Sequence, residues 1–353
     1  MKILVAMSGG VDSSAAAALL TSAGHQCVGC TMRLYDNEDA GIPREHACCS
    51  LSDVEDARSA AHRLGIPYYV FNFTDEFRRQ VIDKFADSYC RGLTPDPCID
   101  CNRCLKFGKL FERADILGCD HIATGHYARI EERGGKYLLK KALDPAKDQS
   151  YVLYAMTQAQ LARTLFPLGE RTKEESRSAA RAAGLLNAEK PDSQDICFVP
   201  DGDYARVIEL HTGRPAEPGD FVDTEGQVLG RHRGIIRYTV GQRRGLGISA
   251  GERQYVLALR PEDNTVVLGP RSALLRQEAE VSEFHWISGE TPAGPVRCAA
   301  RLRYHEAERP AVAIPQDGGR VLLRFDRPQP AGAPGQAAVL YDGDVVLGGG
   351  VLI

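Results

Sequence analysis

Two hydrophobic periods alternate through the first 125 residues. Lys2–Met7 is a short apolar run of the kind buried on both faces of a sheet, and Val11–Ala23 is an Ala- and Leu-rich stretch closed by Gly24, which predicts a helix. Cys27–Met32 repeats the strand pattern. Asp53 is placed to cap a helix whose Val54, Ala57, Ala61 and Leu64 recur at helical spacing, with Gly65 and Pro67 as stop signals. Tyr68–Phe73 and His121–Thr124 read as a third and a fourth strand. Strands alternating with helices imply a parallel sheet covered on both faces, its ligand crevice at the carboxyl ends of the strands. Helical segments are expected around Ser150–Ala155, Gln158–Leu165 and Lys173–Ala183.

The texture changes after about Pro200. Long helical periods vanish, and short alternating runs appear at Tyr255–Leu259, Thr265–Leu268, Arg320–Phe325 and Ala337–Tyr341, with Asp263-Asn264 and Asp342-Gly343 as hairpin turns. A chain of 353 residues exceeds what one core usually supports. The predicted organisation is an α/β parallel-sheet domain with a helical extension over 1–200, a small β-rich domain over 201–277 and a C-terminal β-barrel over 278–353.

Apolar residues make up 43% of the chain and charged residues 25%, the balance of an ordinary globular protein. The opening MKILVAMSGG has no secretory pattern and no long apolar run follows, so a cytoplasmic protein without membrane spans is expected. The formal charge of −4 does not announce a nucleic-acid binder, but its distribution is informative. From Ala205 onward there are 18 arginines, no lysine and 18 acids, and Arg231, Arg233, Arg237, Arg243 and Arg244 share a window without an acid. Such a set suits phosphate, or is a solvated basic face.

Ser8-Gly9-Gly10-Val11-Asp12-Ser13-Ser14 joins the first strand to the first helix. Two glycines permit a sharp turn that presents amide N–H groups, and the helix adds its positive end, so the segment suits phosphate; it lacks the lysine of a Walker loop. Eleven cysteines in a cytosolic chain are rarely structural disulfides, and the clustering of Cys48–Cys49 and of Cys98, Cys101 and Cys104 suggests catalysis or metal binding. Cys101 is expected near a helix N-terminus with Arg103 and Lys106 close by, influences that lower a thiol pKa. The C-x2-C-x2-C spacing equally suits zinc or an iron–sulfur site. Cys197, between Ile196 and Phe198, reads as core filling or as a functional thiol.

The loop resembles the SGGxDS signature of the PP-loop ATP pyrophosphatases, which cleave ATP between the α and β phosphates. AMSGGVDSS, CCSLSDVEDA, TPDPCIDCN with LKFG, ATGHYARI, KDQSYVLY and PDSQDICFV are together similar in order and spacing to the tRNA-specific 2-thiouridylase family, and RLRYH and PGQAAVLYDGD look like its barrel motifs. The resemblance implies a three-domain, ATP-dependent tRNA-uridine 2-sulfurtransferase acting on C2 of the wobble uridine at position 34, with ATP, Mg²⁺, tRNA and a sulfur-donor protein (a cysteine desulfurase or relay) as its partners. It implies that Ala6, Met7, Ser8, Gly9, Gly10, Val11, Asp12, Ser13, Met32 and Gly125 hold ATP. Cys197 would carry sulfur as a persulfide and Cys101 would be the nucleophile, the two coming within disulfide reach. His126, Lys147, Asp148, Gln149, Ser150, Arg303, Tyr304 and Gln336 would contact tRNA. The family's acid/base aspartate, three residues before the nucleophile, is here Cys98, so Asp96 or Asp100 is left to substitute. The extra thiol also fits a route through a [4Fe–4S] cluster on Cys98, Cys101 and Cys197. Another PP-loop ligase, or a metal-stabilised RNA-binding protein without catalysis, would explain part of the pattern.

Overall fold

The computed structural model describes residues 1–35, 51–191, 196–199, 201–248 and 253–353; Cys48, Cys49 and Asp192–Asp195 of the quoted motifs lie outside them. The first domain is built on parallel strands β1 (Lys2–Ala6), β2 (Gln26–Arg33), β3 (Tyr68–Asn72) and β4 (His121–Ala123). After a hairpin of β5 (Ala128–Arg133) and β6 (Lys136–Lys141), β7 (Thr164–Leu165) completes a sheet ordered β3-β2-β1-β4-β7. The order reverses between β1 and β4, which opens a crevice outside their carboxyl ends. Ser8–Gly10 leave β1 there, and Thr124–His126 leave β4.

Helix Val11–Ser22 is buried almost all round, because its alanines let it lie between the sheet and helix Lys173–Ala182. Gly24, at φ +80°, ends it. Helix Leu51–Arg63 begins before Asp53, so Asp53 lies in the first turn and is not the cap; a carboxylate is favoured there by the helix dipole. Ser150–Leu153 is a single 3-10 turn, and the helix expected over Gln158–Leu165 ends at Ala162 before β7.

Beyond residue 200, β8 (Gly219–Val222), β9 (Val228–His232), β10 (Tyr255–Arg260) and β11 (Thr265–Gly269) form a sheet ordered β10-β11-β8-β9. Asn264, at φ +51°, makes the expected turn between β10 and β11. Strands β12 (Leu275–Trp286), β13 (Val296–Arg301), β14 (Arg309–Gln316), β15 (Arg320–Pro330), β16 (Ala337–Asp342) and β17 (Val345–Leu352) close into a barrel through β12–β17. The β-rich central region also carries a helix that the sequence reading did not place, Tyr204–Thr212. Its signals are Asp203, whose carboxylate accepts from the Arg206 N–H, and left-handed Gly213; its apolar stripe is too short to show as a period.

The β5–β6 hairpin leaves the first domain and joins the barrel sheet, Lys140 pairing with Val345 of β17. Asp344 holds it there with Arg129 at 2.8 Å and Lys140 at 3.1 Å. Among the described residues no helix is long and apolar enough to cross a membrane.

Candidate active site

The glycine-rich loop is shaped by close approach. Gly9 has φ +82°, and a Cβ there would lie 2.3 Å from the Asp53 carbonyl oxygen. A Cβ on Gly125 would lie 2.7 Å from the Ser13 nitrogen, so β4's exit presses against the start of the helix. Ser13 Oγ donates to the Gly10 carbonyl at 3.0 Å and accepts from the Ser8 N–H at 3.1 Å. The Met7 N–H donates to the Cys30 carbonyl at 2.7 Å and the Met7 carbonyl accepts from Thr31 Oγ1 at 2.5 Å, fixing the loop's entry on β2. Gly10 occupies the N-cap without a capping side chain, so the first-turn N–H groups face the crevice, as an anion site requires. Ala6 and Met32 pack against the core on one face of the sheet, and Val11 is buried in the core that holds the first helix.

Three residues that sequence reasoning missed complete this end. Asp12 Oδ1 accepts from the Tyr127 hydroxyl at 2.8 Å and from Lys173 Nζ at 2.7 Å. Asn187 Nδ2 donates to the Gly9 carbonyl and to Ser14 Oγ, each at 2.9 Å. Tyr127 lies within the ATGHYARI motif and Asn187 shortly precedes PDSQDICFV, so both belong to or border recognisable segments.

The cysteine loop enters a helix Pro97–Cys101 capped by Asp96, whose carboxylate accepts from the Cys98 N–H at 3.1 Å. Burial pushes the Asp96 carboxyl up to about 6, against the backbone N–H groups that pull it down. Asp100 is tied to Lys84 at 2.8 Å and Arg103 at 2.9 Å. The expected activation of Cys101 is not what the fold produces. Its thiol is buried and its pKa is raised, because desolvation outweighs the opposing pull of Lys106, while Arg103 is engaged by Asp100. Cys98 reaches solvent, yet the protein around it and then Asp96 push its thiol up to about 12.

Cys197 is half-buried, and its carbonyl accepts from the Tyr35 hydroxyl at 2.6 Å. Phe198 anchors the segment edge-on against Phe77 and Phe85, at 5.7 and 5.3 Å between ring centres. Cys101, Cys104 and Cys197 all border this one aromatic cluster. None of the three forms a disulfide, and among the described residues no three His, Cys, Asp or Glu side chains are grouped so as to hold a metal ion. Among the described residues, Cys98, Cys101 and Cys197 are not brought together as the three-thiol set expected for a cluster.

Of the residues expected to meet tRNA, several are internal. Asp148 is buried and its Oδ1 accepts from the Ala142 and Ser150 N–H groups, while Ser150, fully buried, donates from Oγ to Asp148 Oδ2 at 3.0 Å. Gln149 pairs with Tyr127 through Oε1 at 3.0 Å and through its own N–H at 2.9 Å. Lys147 is half-buried beside them. His126 is buried, shares a 2.6 Å hydrogen bond with Thr124 Oγ1, and is held neutral by burial and then by Lys106. The Tyr304 hydroxyl donates to the Asp148 carbonyl at 3.3 Å, and Arg303 to the Val240 carbonyl at 3.0 Å, joining the barrel to the other two domains. Gln336 sits in the barrel loop that meets the cysteine loop, where the Thr94 N–H donates to the Pro334 carbonyl at 2.7 Å. The arginine window divides: Arg231 and Arg237 are engaged by Asp220 and Glu209, whereas Arg243 and Arg244 are exposed.

Residues 1–201 match the family model described as the tRNA methyl transferase HUP domain, 209–270 its PRC-barrel domain, and 276–352 the aminomethyltransferase β-barrel domain. This is a HUP-type α/β protein carrying two β modules. The chain is 49% identical to the tRNA-specific 2-thiouridylase MnmA of Acetivibrio thermocellus, covering 99% of both chains. It is 51% identical to the protein of that name from Moorella thermoacetica, over 99% of this chain and 98% of that one. It is 50% identical to that from Chloroflexus aurantiacus, over 99% and 97%. The chain belongs to the tRNA-specific 2-thiouridylase family.

Proposed function

We propose that this enzyme replaces the C2 oxygen of the tRNA wobble uridine with sulfur, spending ATP and taking sulfur from a cytoplasmic donor protein. Uracil's C2 oxygen is a poor leaving group. Attack of that oxygen on the α-phosphate of ATP, which enters as its Mg²⁺ complex, makes it part of AMP and expels pyrophosphate toward the Ser8–Ser13 loop. Met32 and Gly125 border the adenosine. The terminal sulfur of a Cys197 persulfide then attacks C2, and AMP leaves with the former carbonyl oxygen. Cys101 attacks the inner sulfur of Cys197, breaking its bond to the sulfur now on the base and leaving a Cys101–Cys197 disulfide. An external thiol reductant resets it. Asp100 is tied in two ion pairs, so Asp96 is the carboxyl suited to exchange a proton near neutrality.

The observation that carries the reading is the meeting of Cys101 and Cys197, far apart in the chain, on one aromatic cluster. That cluster also takes in Leu34 and Tyr35 beyond the end of β2, the strand that fixes Met7 of the loop. The burial that protects a thiol in the resting state requires motion before a flipped base can reach it. Of the tRNA candidates, Tyr304 and Gln336 lie where barrel and catalytic domain meet and Arg303 where the barrel meets the central domain, a seat suited to an anticodon loop. Lys147–Ser150 and His126 would act chiefly by shaping that seat.

Incubation with undermodified tRNA, ATP·Mg²⁺, a thiol reductant and a cysteine desulfurase with free cysteine, which supplies persulfide-level sulfur, followed by nucleoside analysis, tests this. The expected product is 2-thiouridine at position 34 with AMP released in step. ATP–pyrophosphate exchange that ignores tRNA would overturn the reading in favour of a small-metabolite ligase.

A further inference from the structure

We propose that Cys104 is the resolving thiol of the reaction: it takes over the disulfide of the Cys101–Cys197 pair by exchange at Cys101, freeing Cys197 to collect the next sulfur. The inference rests on the persulfide route given above and adds one step to it.

That route uses two of the three thiols on the aromatic cluster. Cys104 borders the cluster together with Cys101 and Cys197. It stands three residues after Cys101, so the two lie on one face of a continuous helix, a turn apart. After burial, which raises the Cys101 thiol, and Lys106, which lowers it, Cys104 is the next group acting on that thiol, so the two sulfurs are close in space. Positions three apart hold their Cβ atoms about 5–6 Å from each other, somewhat more than the roughly 3.5–4.5 Å of a disulfide. The winding changes from α to the wider π form at Asn102, between the two, and an irregular step of that kind can close the gap. Cys104 is half-buried where Cys101 is buried, so it is the more open of the two. The Arg103 guanidinium, held by Asp100 at 2.9 Å, also feels the Cys104 sulfur. Asp100 is shared with Lys84 at 2.8 Å, so these three side chains keep a net positive charge. A cation thus stands beside the atom that must attack as a thiolate.

Cys98 has the same spacing on the other side of Cys101 but different surroundings. Among the described residues the aromatic cluster takes in Cys104 and Cys197 and not Cys98, whose thiol burial and then Asp96 push up to about 12. In the exchange, the Cys104 thiol gives its proton to solvent and its sulfur attacks Cys101 Sγ. The Cys101–Cys197 bond breaks, a Cys101–Cys104 bond forms, and Cys197 leaves as a thiolate that takes a proton from solvent. The protein gains and loses no electrons in this step, and the external thiol reductant then reduces the Cys101–Cys104 bond. The benefit is geometric. A Cys197 held to Cys101 has no thiol to accept sulfur, and its segment is pinned to the helix. A Cys101–Cys104 bond lies within that helix and leaves the segment free to move. Closing so short a loop costs little chain entropy, and Cys104 is at hand wherever the Cys197 segment stands.

The test is disulfide mapping after one turnover. Full-length enzyme is loaded at Cys197 by a cysteine desulfurase with free cysteine, separated from both, and mixed with undermodified tRNA and ATP·Mg²⁺ without reductant. Acid quenching, alkylation and peptide mass spectrometry should find a Cys101–Cys104 disulfide with Cys197 alkylated. Cys104→Ser and Cys104→Ala should complete the first turnover, which precedes the step they lack, and stop at Cys101–Cys197. With limiting thiol reductant their later turnovers should run about tenfold slower than those of the wild type, and excess dithiothreitol should restore most of the rate. Wild-type enzyme that ends its turnover with a Cys101–Cys197 or a Cys98–Cys101 disulfide overturns the assignment and leaves the proposed function standing. So does a slowed first turnover in both variants together with a lowered melting temperature, which would confine Cys104 to packing. Wild-type enzyme that carries a Cys197 persulfide and forms no 2-thiouridine overturns both.

Discussion

The side-chain amide of Asn187 holds the carbonyl of Gly9 at 2.9 Å, tying the turn of the nucleotide loop to a short helical segment far along the chain. The same nitrogen reaches Ser14 Oγ, so one amide spans both sides of the loop. Asn187→Ala would leave the buried Gly9 carbonyl and Ser14 hydroxyl short of a partner, at about 1–3 kcal/mol. Thermal unfolding should show a lower melting temperature, and ATP titration a weaker Kd, because the loop must be ordered on binding. A Kd unchanged beside a lowered melting temperature would confine Asn187 to stability.

Cys101→Ser and Cys197→Ser should each abolish 2-thiouridine formation while binding ATP and tRNA as the wild type does. Cys98→Ser should keep substantial activity. Nucleoside analysis and filter binding on the same three preparations decide it. Inactivity of Cys98→Ser with intact tRNA binding would give Cys98 a chemical role that the persulfide route does not assign to it.

Burial holds His126 well below the usual histidine pKa, so the native state keeps it neutral while the unfolded chain binds a proton below about 6.5. The folded pKa is depressed for a base, so this contribution is present above the unfolded pKa and is lost as pH falls through it. The stability of the wild type should fall from pH ~6.5 to pH ~5 by up to about 1.4 kcal/mol per pH unit from this group. Denaturant melts of His126→Asn over that range should give a shallower slope; parallel slopes would show that other groups govern acid sensitivity.

Arg243 and Arg244 are exposed on the central domain, and Arg243 lines a groove of about 330 Å³ together with Leu246, Ile248, Arg253 and Gln254. Two phosphate contacts made by these arginines would release counterions. Changing both to Ala should flatten the plot of log K against log salt for tRNA binding by roughly two units. An unchanged slope would leave them as solvated charge. Arg231→Ala should have less effect, since that side chain is already opposed by Asp220 at 3.4 Å.

The chain's local chemistry determined strands β1 to β4, the helices Val11–Ser22, Leu51–Arg63 and Lys173–Ala182, and the place of the phosphate loop. Hydrophobic period and glycine's freedom at φ +82° are properties of short segments, readable one turn at a time. It also singled out Cys101 and Cys197 as candidates, through the motifs that resemble the family. Helix Tyr204–Thr212 and the β5–β6 hairpin escaped, the first because nine residues carry too little period, the second because its partner strand is β17. Only the tertiary structure decided the electrostatics. Whether Lys106 or burial governs the Cys101 thiol depends on how much water the packed cluster leaves, which no neighbouring residue encodes. Arg231 and Arg237 read as free cations in an acid-poor window, and the fold brings them acids from other segments. Lys173, in the sequence only the start of an expected helix, meets Asp12 beside the nucleotide loop because two helices pack with their first turns together. Coulomb and desolvation energies follow distance in space, and distance along a folded chain does not predict it.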